Sequence, residues 1–325
     1  MCAKGDGSAT MTKYPVQLAP PAITAYRDGG TAIDYVTTFD SGRPGPHVMV
    51  SAVTHGNELC GAIVLDFLFR ENVRPSAGKL TLAFVNYRAY LTFDARYPGL
   101  SRYIDEDINR LWSPEVLDGE RNSDELRRAR ELRPLMDTVD LLLDLHSMQT
   151  TCPALMLAGP LEKGRQLAAA VGVPAYVVSD VGHAAGKRMR DYGAFGDATS
   201  AKNALLVECG QHWEKASADV AMQTTLRFLR HSGIVDRGFL DAHIAGDPPP
   251  QKFITVTGPV TIKNDDFRFV QEFNGMEVIP KAGTVIAEDG PEPIRTPYDD
   301  CVLIMPSRRM TPGQTAVRLG RFTHR

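Results

Sequence analysis

Two histidines and a glutamate stand where a chain would place the ligands of a catalytic metal. His55 and Glu58 lie three apart in "SAVTHGNELCG", on the turn between a strand-like run and a helix-like one. His146 closes the apolar run "LLLDLHS". Two imidazoles and one carboxylate are the ligand set of a catalytic zinc that keeps one position open for water. Manganese, cobalt or iron would also accept these donors. Glu208 closes another apolar run, "LLVECG", and is the natural candidate for a general base that takes a proton from water. Asp144 is two residues before His146, so on a strand both side chains point the same way and Asp144 can orient a site residue, His146 included. H-x-x-E or D-L-H-S alone says little. Together, each at the end of an apolar strand and with V-E-C-G at a third, they favour a metal site. The other histidines, His47, His183, His212, His231, His243 and His324, read as surface or structural residues, with His183 and His212 nearest the cleft segments.

Two arginine signals accompany this set. Asn86 and Arg88 follow the strand-like "TLAFVN", and Asn109-Arg110 sits in the polar stretch "RYIDEDINRLW". A forked cation beside an amide suits a substrate carboxylate. The same arginine could instead pair with Asp105, Glu106 or Asp107.

The elements that must position these residues alternate in kind. "HVMVSAV", "KLTLAFVN", "VDLLLDLHS", "AYVVS" and "ALLVECG" read as strands. "ELCGAIVLDFLFRE", "SDELRRARELRPLM", "LEKGRQLAAAVG" and "ASADVAMQTTLRFLRHSG" read as helices, the second capped by Ser123 or Asp124 and the last stopped by Gly233. Such alternation predicts an α/β fold, an open, mostly parallel or mixed sheet with helices on both faces. Ligands in such folds bind beyond the carboxyl ends of the strands, where these polar residues fall. After Pro248, Pro249 and Pro250 the helical period ends, and short runs punctuated by Gly, Pro, Asn and Asp predict a small all-β domain. The expected organisation is an arm over 1–30, a catalytic domain over 31–245 and a β domain over 246–325.

The totals exclude some classes. The chain has 325 residues, 43% hydrophobic and 23% charged, with a net charge of −3. That is ordinary globular composition with no basic footprint for nucleic acid. No apolar run reaches the roughly 18 residues of a membrane span, and the polar N-terminus lacks the core of a secretory signal. The 5 cysteines are scattered without a C-x-x-C, which suits free thiols and a cytoplasmic location. The expected partner is a small molecule, with neither nucleic acid nor membrane, and a homo-oligomer is left open.

In order, "THGNE", "NYRA", "RYIDEDINRLW", "DLHS" and "VECGQ" resemble the succinylglutamate desuccinylase and aspartoacylase family of the zinc carboxypeptidase-like fold, over about residues 45–325. The resemblance implies one zinc per chain, held by His55, Glu58 and His146, with Glu208 as base and proton shuttle. It implies Arg88 as the arginine that polarises the scissile carbonyl, Asn109 and Arg110 as substrate-binding residues, and a β domain that roofs the cleft. Tyr298 either reaches the site from that domain or packs as a turn tyrosine after Pro297. The implied activity is deacylation of a small N-acyl amino acid or related N-acyl amine. A metallocarboxypeptidase with the same zinc site and a non-catalytic metal or ligand sensor are the alternatives.

One departure bears on the substrate. Members resembling aspartoacylase place an arginine about ten residues before the catalytic glutamate, where this chain reads "GAFGDATSAKNALLVE". The expectation is one α-carboxylate held by Arg110 and Asn109, with no second carboxylate required. The glycine-rich "GHAAGKRMRDYGAFGDAT" reads as a mobile loop whose Asp191 and Asp197 could draw a basic substrate side chain.

Overall fold

The computed structural model describes residues 13–183, 185–308 and 310–324. In chain order the strands and helices begin β1 (Val36–Asp40), β2 (His47–Ala52), α1 (Leu59–Arg70), β3 (Lys79–Phe84), α2 (Tyr87–Leu91), α3 (Pro114–Leu117), α4 (Asp124–Met136) and β4 (Leu141–Met148). They continue β5 (Leu155–Leu157), α5 (Glu162–Val171), β6 (Tyr176–Ser179), β7 (Asn203–Gln211), α6 (Lys215–Ser232) and α7 (Arg237–His243). The rest is β: β8 (Lys252–Thr261), β9 (Arg268–Phe269), β10 (Val278–Ile279), β11 (Val285–Asp289), β12 (Glu292–Arg295), β13 (Cys301–Ile304) and β14 (Thr315–Thr323).

Among the described residues one mixed sheet has 11 strands in the order β1-β3-β2-β4-β7-β5-β6-β8-β14-β13-β10. The central strands β3, β2, β4 and β7 are parallel neighbours. Their apolar runs are continuous because both faces are covered. Val48, Val50, Leu143, Leu145, Leu205 and Val207 turn toward α1, α5 and α6, whereas Met49, Leu142 and Ala204 turn toward α4. This alternation is the period of two that a pleated strand imposes. Ser123 caps α4 by accepting a hydrogen bond from the Leu126 amide at 3.0 Å, and Gly233 ends α6 at φ 71°. No helix among the described residues is long and apolar enough to cross a membrane.

Three readings of the sequence change. Residues 1–12 of the expected arm lie outside the described residues, but Leu18 and Ile23 are buried in the core and the Gln17 amide donates to the Trp213 carbonyl at 3.0 Å. The glycine-rich stretch is packed rather than loose, because Arg188 pairs with Asp180 and Asp191 and Arg190 donates to the carbonyls of Ala158 and Ala204. The three prolines lead directly into β8, which pairs in parallel with β6, so the sheet runs on into the C-terminal β segment. A second sheet there has 3 strands in the order β12-β11-β9, over an apolar cluster that includes Phe267, Ile286 and Leu303.

The turn after β2 is built under tight constraint. Val53 holds a φ of 52°, a left-handed conformation costly for a β-branched residue. Gly56 donates its amide to the Arg102 carbonyl at 3.0 Å. A Cβ on Gly56 would lie 2.4 Å from backbone atoms of Ala89, Tyr90 and Ser101. Gly56→Ala must therefore push apart the turn, α2 and the chain at Ser101. Overpacking of this kind costs about 1–3 kcal/mol, and a fall of that size is expected in urea unfolding. An unchanged midpoint would show that the close approach is not enforced.

Candidate active site

His55 leaves the end of β2, Glu58 occupies the N-cap of α1, and His146 and Glu208 face each other in register on β4 and β7. All four are buried, with exposures of 4%, 1%, 1% and 8%. Ligand atoms of His55, Glu58 and His146 lie within 4.8 Å of one another. His55 Nδ1 is 2.7 Å from Glu58 Oε1, and His146 Nδ1 is 2.9 Å from Glu58 Oε2.

The far side of each ring is held by another carboxylate. His146 Nε2 donates to Asp144 Oδ2 at 2.7 Å, and Asp144 Oδ1 accepts from Ser51 and Thr54 at 2.8 and 2.9 Å. His55 Nε2 donates to Asp107 Oδ1 at 2.9 Å. With Nε2 protonated, each Nδ1 presents a lone pair to the Glu58 carboxylate. Lone pairs and a carboxylate at these distances repel unless a proton or a metal ion lies between them. This carboxylate–histidine arrangement is the one that sets the tautomer of metal-binding imidazoles. Where the rings carry a second proton instead, their charge holds the Glu58 carboxyl well below the usual carboxylate range against the pull of burial. The donor set therefore fits a metal ion, with His55, Glu58 and His146 as the residues that would hold it.

These groups open onto a cavity of about 550 Å³. Glu208 lines it, and its Oε2 is buried without a hydrogen-bond partner. Burial pushes the Glu208 carboxyl up to about 7, with Glu58 adding to the rise and His146, His55 and Arg102 opposing it. Arg102 also lines the cavity, with Nη2 donating to Asp107 Oδ2 at 3.2 Å and Nη1 3.7 Å from Glu58 Oε1. Asn109 accepts from the Met189 amide at 2.8 Å, which turns its Nδ2 toward His146 at 3.5 Å. Arg110 donates to the Asn109 carbonyl at 2.7 Å.

The Succinylglutamate desuccinylase/Aspartoacylase catalytic domain model matches residues 44–232, more than half of the chain. The chain belongs to the succinylglutamate desuccinylase/aspartoacylase family. Its fold is shared by succinylglutamate desuccinylase from Vibrio parahaemolyticus, with a TM-score of 0.65 and 16% identity over 86% of this chain and 82% of that one. A product-bound ectoine utilization protein from Ruegeria pomeroyi gives a TM-score of 0.60 and 17% identity over 88% of each chain. Mouse aspartoacylase is 29% identical over 121 residues, and the human N-acyl-aromatic-L-amino acid amidohydrolase (carboxylate-forming) is 31% identical over 120. The match spans 37% of the mouse protein's length and 36% of the human one's.

Within this family fold two expected site residues lie elsewhere. Arg88 sits on α2 with a side chain 54% exposed, donating to Asp124 at 2.6 Å and to the Tyr87 hydroxyl at 3.1 Å, and does not line the cavity. The strand end before it resembles the others, but α2 turns the arginine outward. Tyr298 also lies away from the cavity, bonded to Thr257 with the Arg321 guanidinium 3.7 Å over its ring. Arg102, at the start of the "RYIDEDINRLW" motif rather than at a strand end, lines the cavity where Arg88 does not. His212 lines the cavity too, with Nδ1 2.8 Å from the Ser147 hydroxyl, and burial pushes it down to about 3, so it stays neutral.

Purified protein is expected to carry one tightly held metal ion per chain by elemental analysis. His146→Ala is expected to lose that ion, and full occupancy in this variant would remove His146 from the ligand set. Chelation should lower the melting temperature of the wild-type chain, because an ion bound only to the folded state stabilises it.

Proposed function

We propose that this chain is a zinc-dependent amidohydrolase that deacylates a small N-acyl amino acid or related N-acyl amine. The observation that carries the reading is the unpartnered, buried Oε2 of Glu208 beside the His55–Glu58–His146 cluster. A metal-storage or sensing site has no use for a free carboxylate there. The human and mouse relatives bear the names of an amidohydrolase and an acylase, which supports the same chemistry.

Zinc held by the three ligands would supply a Lewis acid for the amide carbonyl and make water at the site more acidic. Glu208, raised to about 7, takes the proton from the attacking water near neutrality and passes it to the leaving nitrogen. Water oxygen joins the carbonyl carbon, the C–N bond breaks, and a carboxylate and an amine result. Arg102 takes the role first assigned to Arg88. Its guanidinium lies beside Glu58 at the cavity wall and donates to the oxygen that gains charge as water adds. Arg110, fixed by the Asn109 carbonyl, holds the substrate carboxylate, and Asn109 fixes the wall beside His146.

Residues of the C-terminal β segment, among them Met305, Pro306, Arg308 and Gln314, line the same cavity. A cavity of about 550 Å³ walled by a second segment suits a small substrate better than a peptide, which favours deacylation over carboxypeptidase action. The four described cysteines are free and buried, which supports a reducing, cytoplasmic location.

The test is kinetic. Glu208→Gln is expected to keep its metal and its fold and to lose about 10²–10⁴-fold in kcat on N-acyl amino acids. Turnover within a few-fold of wild type would demote Glu208. Arg102→Ala should lose about 10²-fold or more, whereas Arg88→Ala should stay within a few-fold. The reverse order would return the carbonyl role to Arg88.

A further inference from the structure

The lining of the cavity divides by chemistry. Arg110 stands on one part of it, where it feels the charge of Arg102 and Arg188. Met148, Cys152, Leu157, Leu206 and Met305 line another part and belong to one apolar cluster.

Strand register places this apolar patch beside the candidate base. Leu206 and Glu208 are two apart on β7 and share a face, and Leu157 on β5 pairs with Leu206. Met148 closes β4, two residues beyond His146. Cys152 lies within the field of Glu208. Burial pushes its thiol up to about 12, with Glu208 adding to the rise, so it stays uncharged.

Met305 completes the patch from the C-terminal β segment, and its backbone is the unusual part. It holds a φ of 50°, in the left-handed region that a long side chain seldom adopts. Both flanks are fixed. Ile304 pairs with Arg318 of β14, and the Ser307 amide donates to the Ala316 carbonyl at 2.6 Å. A costly conformation held from both sides at a cavity wall points to a functional side chain.

Nothing in the patch can answer a charge. The acids expected to draw a basic substrate group lie elsewhere. Neither Asp191 nor Asp197 lines this cavity, and both oxygens of Asp191 accept from Arg188 and Arg190. Two thioethers, a thiol and two leucines favour a hydrocarbon chain, and methionine packs against such a chain without demanding a fixed shape.

We propose that this patch is an acyl pocket, that Met305 is its specificity-determining residue, and that the acyl group removed is an aliphatic chain longer than acetyl. The assignment to the acyl side rests on the deacylase reading. The scissile amide lies between the ligand set and Glu208, where the patch begins. Arg110 takes the carboxylate of the amino acid, so the acyl chain is the part left to run along the patch.

The first measurement needs no catalysis. Straight-chain fatty acids from acetate to octanoate are titrated calorimetrically into the metal-loaded full chain. Affinity for wild type should rise by about two- to fourfold per methylene up to the length the pocket holds. Met305→Gln keeps the length of the side chain but makes it polar, and should flatten that rise, whereas Met305→Leu should restore it. Equal affinity along the wild-type series, or the same slope in Met305→Gln, would overturn the proposal. Should Met305→Gln fail to fold, the wild-type series and Met148→Gln still decide. The second measurement is kcat/KM on N-hexanoylalanine, N-acetylalanine and N-acetylnorleucine. Wild type should prefer the hexanoyl to the acetyl derivative of alanine by about 10–100-fold, and Met305→Gln should bring the ratio toward unity. A gain that follows the norleucine side chain instead would move the patch to the amine side and defeat the acyl assignment. A wild type inactive on all N-acyl amino acids defeats the deacylase reading, while fatty-acid binding still decides whether the patch takes a hydrocarbon chain.

Discussion

Two imidazoles can face one buried carboxylate with their bare nitrogens only because something else holds the opposite side of each ring. Asp144 does this for His146 and Asp107 for His55. The rest of the site depends on that pair of tethers. They set which nitrogen carries the proton and fix the ring planes. They also leave the carboxylates of Glu58 and Asp144 and both rings in a region that water barely enters, with Asp107 at its edge. Asp144 is itself secured by the hydroxyls of Ser51 and Thr54, one on β2 and one on the turn that carries His55. The strand, the turn and both histidines are thus parts of one hydrogen-bonded unit.

The other tether comes from a loop, and the loop needs its own anchor. Glu125, in the first turn of α4 and fully buried, accepts from the amides of Ile104, Asp105 and Glu106 at 2.6, 2.9 and 3.2 Å, and from Asn86 Nδ2 at 3.1 Å. A carboxyl group that receives four N–H groups needs no cation beside it. The stretch pinned in this way carries Asp107, Asn109 and Arg110 just beyond it and Arg102 just before. Asn86 therefore contributes as part of the scaffold. Its neighbour Arg88, on the same turn, points to solvent.

What was legible in the sequence follows a physical division. His55, Glu58, His146 and Glu208 stand at ends of strands whose apolar runs are unmistakable, so strand order alone brings them to one edge. Strand ends also misled, since Arg88 has the right address and the wrong orientation. A five-residue helix after β3 decides that orientation, and no periodicity that short is readable. Arg102 lies in an irregular stretch whose shape comes from Glu125, some twenty residues away in sequence. Tyr298 and Arg318 show the same limit in the β segment. Tyr298 follows Pro297 in a turn and Arg318 lies within β14, and only the pairing of β14 between β8 and β13 determines which of them meets the cavity. The glycine-rich stretch before β7 looked loose because glycine count carries no information about the carboxylates that Arg188 and Arg190 meet.

The charges of the site also constrain each other. Glu58, Asp107 and Asp144 gather three carboxylates around the two imidazoles, and Arg102 offsets only part of their charge. A cation at the ligand set removes the remainder. Once that cation is present, the balance on the cavity side reverses. Arg110 shares its single carboxylate and Arg318 forms no ion pair with a described residue, with Asp180 and Glu208 acting on it only from a distance, so the walls carry positive charge. In a narrow cavity of low dielectric, unanswered charge is strongly felt and selects its counterpart.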